Sequence, residues 1–146
     1  MSANLTYEVH AGDIEQGGSA SAALKSELRK MGICEEQARR VGIIAFEGEM
    51  NLLLYATNGG TLNAKVTSEA INITIEDTGP GIDDIDLAMT PGYSTAPDWA
   101  ANLGFGAGMG LVNMQRNSDL FEIHSHTDKG TLICCRVNRR KNDAAD

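Results

Sequence analysis

Positive charge is scarce in this sequence, in which 12 Lys and Arg stand against 20 Asp and Glu, for a formal net charge of -8 at pH 7. A protein that binds nucleic acid or an anionic membrane carries a basic patch, so the composition argues against both partners. Long hydrophobic runs are missing too: no apolar stretch approaches the roughly 20 residues that cross a bilayer, and no basic, apolar leader opens the chain. We therefore expect a cytoplasmic protein with no membrane span and no nucleic acid partner.

Cysteine and proline are also rare, with three residues of each. Cys34, Cys134 and Cys135 have no C-x-x-C spacing and are odd in number, so we expect reduced thiols rather than a disulfide framework. The chain of 146 residues is long enough for one hydrophobic core. We expect one domain over residues 1–138, followed by a flexible tail over residues 139–146.

The hydrophobic pattern predicts five strands and three helices. The predicted strands span residues 4–10, 61–67, 70–76, 120–125 and 130–137. The predicted helices run from Ser19 or Ser21 to about residue 31, from about residue 35 to Asn58, and from about residue 108 to 117. This order predicts an α+β fold, a two-layer sandwich with helices on one face of a mixed, mostly antiparallel sheet.

Glycine, by contrast, is plentiful, with 16 residues. One cluster, Asp77 to Ile82, follows a predicted strand, and a second, Gly104 to Leu111, precedes a predicted helix. Glycines let a backbone turn sharply and approach a flat ligand, and at the start of a helix they expose N–H groups to an anion. A long irregular loop, residues 82–103, separates the clusters, and loops of that length are usually functional. Together these features predict a nucleotide pocket.

Two polar residues of the second predicted helix, Glu47 and Asn51, are four positions apart and so lie on one face. Taken alone, Glu47, Glu49 and Asn51 fit a solvated helix face. Opposite the glycine clusters a second interpretation is favoured. An amide oxygen is a suitable ligand for Mg²⁺, and a carboxylate one turn earlier can orient or deprotonate a nucleophile.

Four short motifs occur in order along residues 47–131: Glu47-x-x-x-Asn51, Asp77-x-Gly79-x-Gly81, Gly106-x-Gly108-x-Gly110 and Gly130-Thr131. Each is common alone, but together they resemble the motif set of the GHKL superfamily of ATPases and kinases. The resemblance implies the Bergerat ATP-binding fold, with ATP and Mg²⁺ as cofactors.

For the base, the resemblance implies that Asp77 accepts a hydrogen bond from the 6-amino group of adenine. Thr131 would support that contact, usually through water. Gly79 and Gly81 would let the chain pass close to the base.

For the phosphates, the resemblance implies that Asn51 is a ligand of Mg²⁺ and that Glu47 is the catalytic base. The phosphate-cradling turn would be formed by the glycines Gly104, Gly106, Gly108 and Gly110. Residues 82–103 would be the ATP lid.

Within the superfamily the chain is most similar to the anti-sigma-factor and switch serine/threonine kinases. That similarity implies a protein partner, which would be an anti-sigma antagonist, a sigma factor or a signalling scaffold, and a capacity to form homodimers. Three functions stay open: a kinase that phosphorylates or sequesters its partner, the ATP-binding domain of a sensor histidine kinase, and a non-catalytic nucleotide-sensing module. One departure from the family pattern is Gly48, where a better helix former is usual, at a cost of about 1 kcal/mol.

Overall fold

The sheet has five strands within the residues that the computed structural model describes, namely 2–12, 17–55, 59–79, 81–82, 84–92, 109–126 and 129–140. In chain order the elements are β1 (Ala3–Val9), α1 (Ser19–Lys30), α2 (Glu35–Tyr55), β2 (Gly60–Val66), β3 (Ala70–Asp77), α3 (Ile85–Ala88), α4 (Gly110–Arg116), β4 (Leu120–His126) and β5 (Gly130–Asn138).

The strands lie in the order β1-β2-β3-β5-β4, and each described ladder is antiparallel. Strands β2 and β3 form one hairpin and β4 and β5 another, with β5 inserted between β3 and β4. The predicted α+β sandwich is therefore confirmed, in its fully antiparallel form.

The core lies between the sheet and helices α1 and α2, and α2 packs against β1, β2, β3 and β5. Alternate residues of the central strands point toward the helices, because successive side chains of a strand face opposite ways. The largest of the fully buried aliphatic side chains come from α1, α2, β2 and β3: Leu24, Leu28, Ile44, Leu52, Leu62, Ile71 and Ile73. Burying each one contributes roughly 1.5–3 kcal/mol, which holds α2 at a fixed position over the sheet.

Gly48 marks the closest approach of α2 to the sheet. A Cβ atom at this position would lie 2.6 Å from Ile75 Cγ1, far inside van der Waals contact. The sequence suggested that this glycine was a simple cost to the helix. The structure corrects that interpretation, because a residue with a side chain would push α2 away from β3.

The predicted loop over residues 82–103 contains a short helix, α3, which the sequence analysis missed. Asp84 caps it, with its Oδ1 accepting a hydrogen bond from Leu87 N at 3.0 Å. Four residues are too few to show a helical period, so the pattern gave no signal. Residues 93–103 of the predicted lid lie outside the described residues.

The cysteines are thiols as expected, whereas the start of the predicted flexible tail contacts the domain. None of the three cysteines, all within the described residues, forms a disulfide, and burial raises the pKa of Cys135 to about 11. Arg139 N donates to Glu69 O at 2.9 Å, and Arg140 pairs with Glu36, so the first two residues of the predicted tail contact the domain. Residues 141–146 lie outside the described residues. No described helix is long and apolar enough to cross a membrane.

Candidate nucleotide-binding site

A polar row crosses three neighbouring strands at one end of the sheet. Ile75, Ile133 and Ile123 pair across β3, β5 and β4 and belong to the apolar layer. Two residues away along the strands, the same ladders pair Asp77 with Thr131 and Thr131 with Ser125. A step of two residues keeps a side chain on the same face, so these polar groups lie on the helix side of the sheet.

Asp77 is held by a tight turn of its own backbone. Its Oδ1 accepts a hydrogen bond from Gly79 N at 2.8 Å, which fixes the plane of the carboxylate. Among the described residues its Oδ2 makes no hydrogen bond, and Asp77 is half-buried. One carboxylate oxygen is therefore available as an acceptor for a ligand.

The glycines next to this row are required by close approaches of the backbone. Gly81 has a φ of 82°, and a Cβ on it would lie 2.4 Å from His126 O of β4. Gly130 has a φ of 114°, and a Cβ there would lie 2.1 Å from Asp77 O. Residues with side chains are strained at such φ values, so both motifs allow the strands around Asp77 to pack this closely.

Thr131 is buried, at 8% exposure, and its hydroxyl belongs to a small hydrogen-bond network. Its Oγ1 lies 2.9 Å from Ser125 Oγ. Ser125 Oγ also accepts a hydrogen bond from Ile82 N at 2.6 Å and lies 3.2 Å from Gly130 O. No motif in the sequence indicates Ser125, although its position opposite Thr131 follows once β4 and β5 are paired as a hairpin.

The second half of the site lies between α2 and α4. A Cβ placed on Gly110 would lie 3.4 Å from Asn51 Oδ1 and 3.9 Å from Glu47 Oε1, so the side chains of Glu47 and Asn51 meet at the start of α4. Glu47 Oε2 accepts a hydrogen bond from Asn113 Nδ2 at 2.7 Å. Asn113, one turn after Gly110, is a further residue that the sequence analysis missed.

The Glu47–Asn51 half and the Asp77–Thr131 half of the site lie at the same end of the sheet. Gly48 of α2 faces Ile75, and a Cβ on Gly60 would lie 2.6 Å from Leu52 Cδ2. Gly60 pairs with Asp77, so the turn of α2 that carries Asn51 and Leu52 is level with the polar row. The structure therefore brings the Glu47–Asn51 pair and the Asp77–Thr131 pair to one end of the sheet.

Glu49 does not belong to this cluster. It is 2% exposed, and its two carboxylate oxygens accept hydrogen bonds from Ala20 N at 3.1 Å and Ser21 N at 3.0 Å. These are free N–H groups of the first turn of α1, whose N-cap residue, Gly18, makes no side-chain capping bond. The solvated helix face considered for Glu47, Glu49 and Asn51 is therefore wrong for Glu49, while Glu47 and Asn51 are half-buried.

The oxygen ligands of Glu47 and Asn51 suit a hard cation that is also coordinated by phosphate oxygens. Asn51 Oδ1 and Glu47 Oε1 are neighbouring oxygens, and oxygen is the ligand that Mg²⁺ prefers. Within the described ranges no three His, Cys, Asp or Glu residues could hold a metal together. Bound Mg²⁺ would thus need phosphate oxygens or water to complete its coordination. Three of the predicted phosphate-site glycines, Gly104, Gly106 and Gly108, lie outside the described residues.

The fold and these motifs define a member of the GHKL class of ATPases. More specifically, residues 11–137 match the family described as the histidine kinase-like ATPase domain, and the chain belongs to that family. The resemblance inferred from the four motifs is therefore confirmed.

Curated relatives with similar sequences are anti-sigma F factors. That of Clostridium perfringens (strain 13 / Type A) is 35% identical over 72 residues, which cover 49% of this chain and 48% of the relative. That of Thermoanaerobacter sp. (strain X514) is 37% identical over 73 residues, which cover 50% and 48%. The matched region thus spans about half the length of these relatives.

Solved structures of histidine kinases share the fold. The mycobacterial sensor histidine kinase MprB aligns with a TM-score of 0.55 at 14% identity, over 94% of this chain and 99% of that one. The catalytic domain of histidine kinase ThkA aligns with a TM-score of 0.53 at 12% identity, over 94% and 96%. At these identities the comparison confirms the architecture.

Proposed function

We propose that this protein is an ATP- and Mg²⁺-binding regulator of the anti-sigma or switch-kinase type, which phosphorylates a serine or threonine of a protein partner. The observation that supports it most directly is the convergence of Glu47, Asn51 and Gly110, level with the Asp77–Thr131 pair. The anti-sigma F factors that resemble half of the chain support the choice of partner class, a sigma factor or its antagonist.

At the base end, Asp77 Oδ2 would accept a hydrogen bond from the 6-amino group of adenine. The Gly79 N–H at 2.8 Å holds the other oxygen, so the carboxylate needs no reorientation when the ligand arrives. Such preorganisation reduces the entropy lost on binding. Thr131, directly across the ladder, would complete the contact.

At the phosphate end, Glu47 would act as the base toward the partner's hydroxyl. Its Oε2 is occupied by the Asn113 amide, so Oε1, the oxygen nearer Gly110, would take the proton as the hydroxyl attacks the terminal phosphorus. The bond from that phosphorus to the bridging oxygen would break, and ADP would leave. Asn51 Oδ1 would hold Mg²⁺, which when bound neutralises charge on the phosphate oxygens. Gly104, Gly106, Gly108 and Gly110 would line the phosphates.

Calorimetric titration with Mg-ATP and Mg-ADP tests the nucleotide site. We expect the wild type to bind both, Asp77→Asn to bind at least about tenfold more weakly, because it offers an N–H₂ group or a single oxygen to the amine, and Glu47→Gln to bind as well as wild type. An inability of the wild type to bind either nucleotide would refute the proposal.

Transfer of labelled phosphate from ATP to the cognate sigma-factor antagonist then tests the kinase activity. We expect transfer by the wild type and none by Glu47→Gln. Nucleotide binding without transfer to any partner serine or threonine would instead favour the non-catalytic nucleotide-sensing module. The sensor-kinase alternative rests on likeness of fold, and transfer to a histidine of a dimerisation helix would favour it.

A further inference from the structure

Hydrogen bonds join α4 to α2 near both ends of α4. Toward its start, Asn113 Nδ2 donates to Glu47 Oε2 at 2.7 Å. At its end, the C-cap residue Asn117 accepts a hydrogen bond at its carbonyl oxygen from Arg40 Nε at 3.0 Å. Arg40 and Glu47 are seven positions, or about two turns, apart and so share one face of α2. The two helices therefore run in opposite directions, and each bond fixes a different part of α4.

The guanidinium of Arg40 is itself held in place. Its side chain is 17% exposed, and its Nη2 lies 3.2 Å from Asp119 Oδ1. Asp119 in turn accepts a hydrogen bond from the backbone N–H of Asn138, on β5, at 2.7 Å. Arg40 thus connects the end of α4 to α2 and to the sheet.

Two bonds within α4 link this contact to Asn113. The backbone N–H and the side-chain amide of Asn117 both donate to Asn113 O, at 3.2 and 2.8 Å. Asn117 is therefore held by Arg40 and holds the backbone of Asn113, whose side chain holds Glu47. A continuous series of bonded groups runs from Arg40 to the proposed base.

Helix α4 is too short to keep its position unaided. It has seven residues, and helices of that length are not stable alone, so its placement depends on tertiary contacts. Its buried side chains, Val112 and Met114, are apolar, and apolar packing is non-directional. The directional bond from Arg40 therefore determines how far α4 extends along α2, and hence where Asn113 meets Glu47.

We propose that Arg40 is a positioning residue for phosphoryl transfer, which fixes the end of α4 and, through Asn113, the direction of the Glu47 carboxylate. This inference rests on the proposed function, because it takes Glu47 to be the base. Without Arg40, α4 can shift along α2, and misplacement of a reacting group by about 1 Å can slow a reaction about 100-fold.

The kinetic test compares the wild type with Arg40→Ala and Arg39→Ala. Arg39 is a matched control, because it is the neighbouring arginine of α2 and is exposed. We expect Arg40→Ala to slow single-turnover transfer to the cognate sigma-factor antagonist about tenfold, with the dissociation constant for Mg-ADP unchanged, and Arg39→Ala to alter neither. An unchanged transfer rate, or an equal loss of ADP affinity, would overturn the inference.

A second variant guards against misfolding of Arg40→Ala. We expect Arg40→Lys to keep the fold, because a positive charge still faces Asp119. It should nevertheless slow transfer, because an ammonium lacks the planar fork that reaches Asp119 and Asn117 together. Transfer by Arg40→Lys at the wild-type rate would show that charge alone suffices, and would overturn the inference.

A double variant tests whether Arg40 acts through Asn113. If it does, adding Arg40→Ala to Asn113→Ala should slow transfer no further than Asn113→Ala alone. Additive losses would overturn the inference while leaving the proposed function intact. Absence of transfer by the wild type would overturn both.

Nuclear magnetic resonance tests the same contacts with neither nucleotide nor partner. The side-chain N–H₂ signals of Asn113, assigned by their loss in Asn113→Ala, report the bond to Glu47. In Arg40→Ala we expect the bonded proton to move toward the chemical shift of an unbonded amide, with no such change in Arg39→Ala. An unaltered Asn113 signal in Arg40→Ala would overturn the inference alone.

Discussion

At the scale of single residues, the orientation of the Glu47 carboxylate is set by Asn113, its neighbour on α4. One oxygen of the carboxylate accepts the Asn113 N–H at 2.7 Å, and the other lies near Gly110. A carboxylate held by one bond has fewer orientations to lose when it must take a proton in a particular direction. Asn113 therefore orients the carboxylate of the proposed base.

Replacing Asn113 should thus affect transfer more than binding. We expect Asn113→Ala to lower the phosphoryl-transfer rate about 10- to 100-fold, the range typical of a misaligned catalytic group, with little change in the dissociation constant for ADP. Single-turnover transfer and calorimetry measure the two effects. Gln115→Ala, an exposed position on the same helix, is the control. A parallel loss of ADP affinity in Asn113→Ala would instead indicate a structural role.

At the scale of elements, α2 determines where its neighbours can lie. Its two interior glycines have opposite surroundings: Gly48 is pressed against Ile75, whereas a Cβ on Gly42 would meet only the flexible chain of Lys25, at 3.2 Å. Replacement by alanine should therefore change the free energy of unfolding in opposite directions at Gly48 and at Gly42.

We expect Gly48→Ala to lower the free energy of unfolding by about 1–3 kcal/mol, because overpacking against Ile75 outweighs the gain in helix propensity. Gly42→Ala, on the same helix, should leave the free energy unchanged or raise it by up to about 1 kcal/mol. Urea unfolding measures both. Adding Ile75→Ala should recover part of the Gly48→Ala loss beyond additivity. Equal stabilisation by both alanines would contradict the close packing.

Helix α1 depends on α2 in another way, since its first turn is capped by Glu49. We expect Glu49→Ala to lower the free energy of unfolding by about 2–4 kcal/mol, because two buried N–H groups of α1 lose a charged acceptor. Chemical denaturation with the exposed Glu69→Ala as control checks this. If both variants unfold alike, the cap contributes nothing measurable.

At the scale of the whole molecule, Asp119 joins α2 to the edge of the sheet. It accepts a hydrogen bond from Asn138 N at 2.7 Å and pairs with Arg40 at 3.2 Å, while Arg40 Nε donates to Asn117 O. Burial alone would raise the pKa of Asp119, but the Asn138 N–H and the Arg40 guanidinium outweigh it and lower the pKa.

A carboxyl group whose pKa is lower in the folded state stabilises the protein above its unfolded pKa, near 4, and loses that effect as the pH falls through the folded pKa. We therefore expect Asp119→Asn to be less stable than wild type near pH 6, with the difference shrinking below about pH 4. Thermal unfolding across pH 2–7 follows this, with exposed Glu122→Gln as control. A constant difference at every pH would show that Asp119 does not act through its charge.

Much of the architecture could be predicted from sequence, because strand alternation and helix periodicity are local signals. The strands that carry Asp77 and Thr131 were placed within one or two residues, and Glu47 and Asn51 were paired by their spacing alone. The contacts of Asn113 and Ser125 could not be predicted, since each depends on tertiary packing between segments far apart in the chain. The interpretation of Glu49 was wrong for the same reason, since nothing in the local sequence indicates that its carboxylate caps the first turn of α1.

The insertion of β5 between β3 and β4 has a consequence for the order in which the molecule is made. Asp77 emerges from the ribosome early, but Thr131, its neighbour in the ladder, follows only when β5 is synthesised, after all the other described strands. The partner of the acid is thus among the last parts of the domain to appear. A nascent chain that lacks β5 cannot form the proposed base pocket, so on that proposal ADP binding would begin only once β5 has paired with β3.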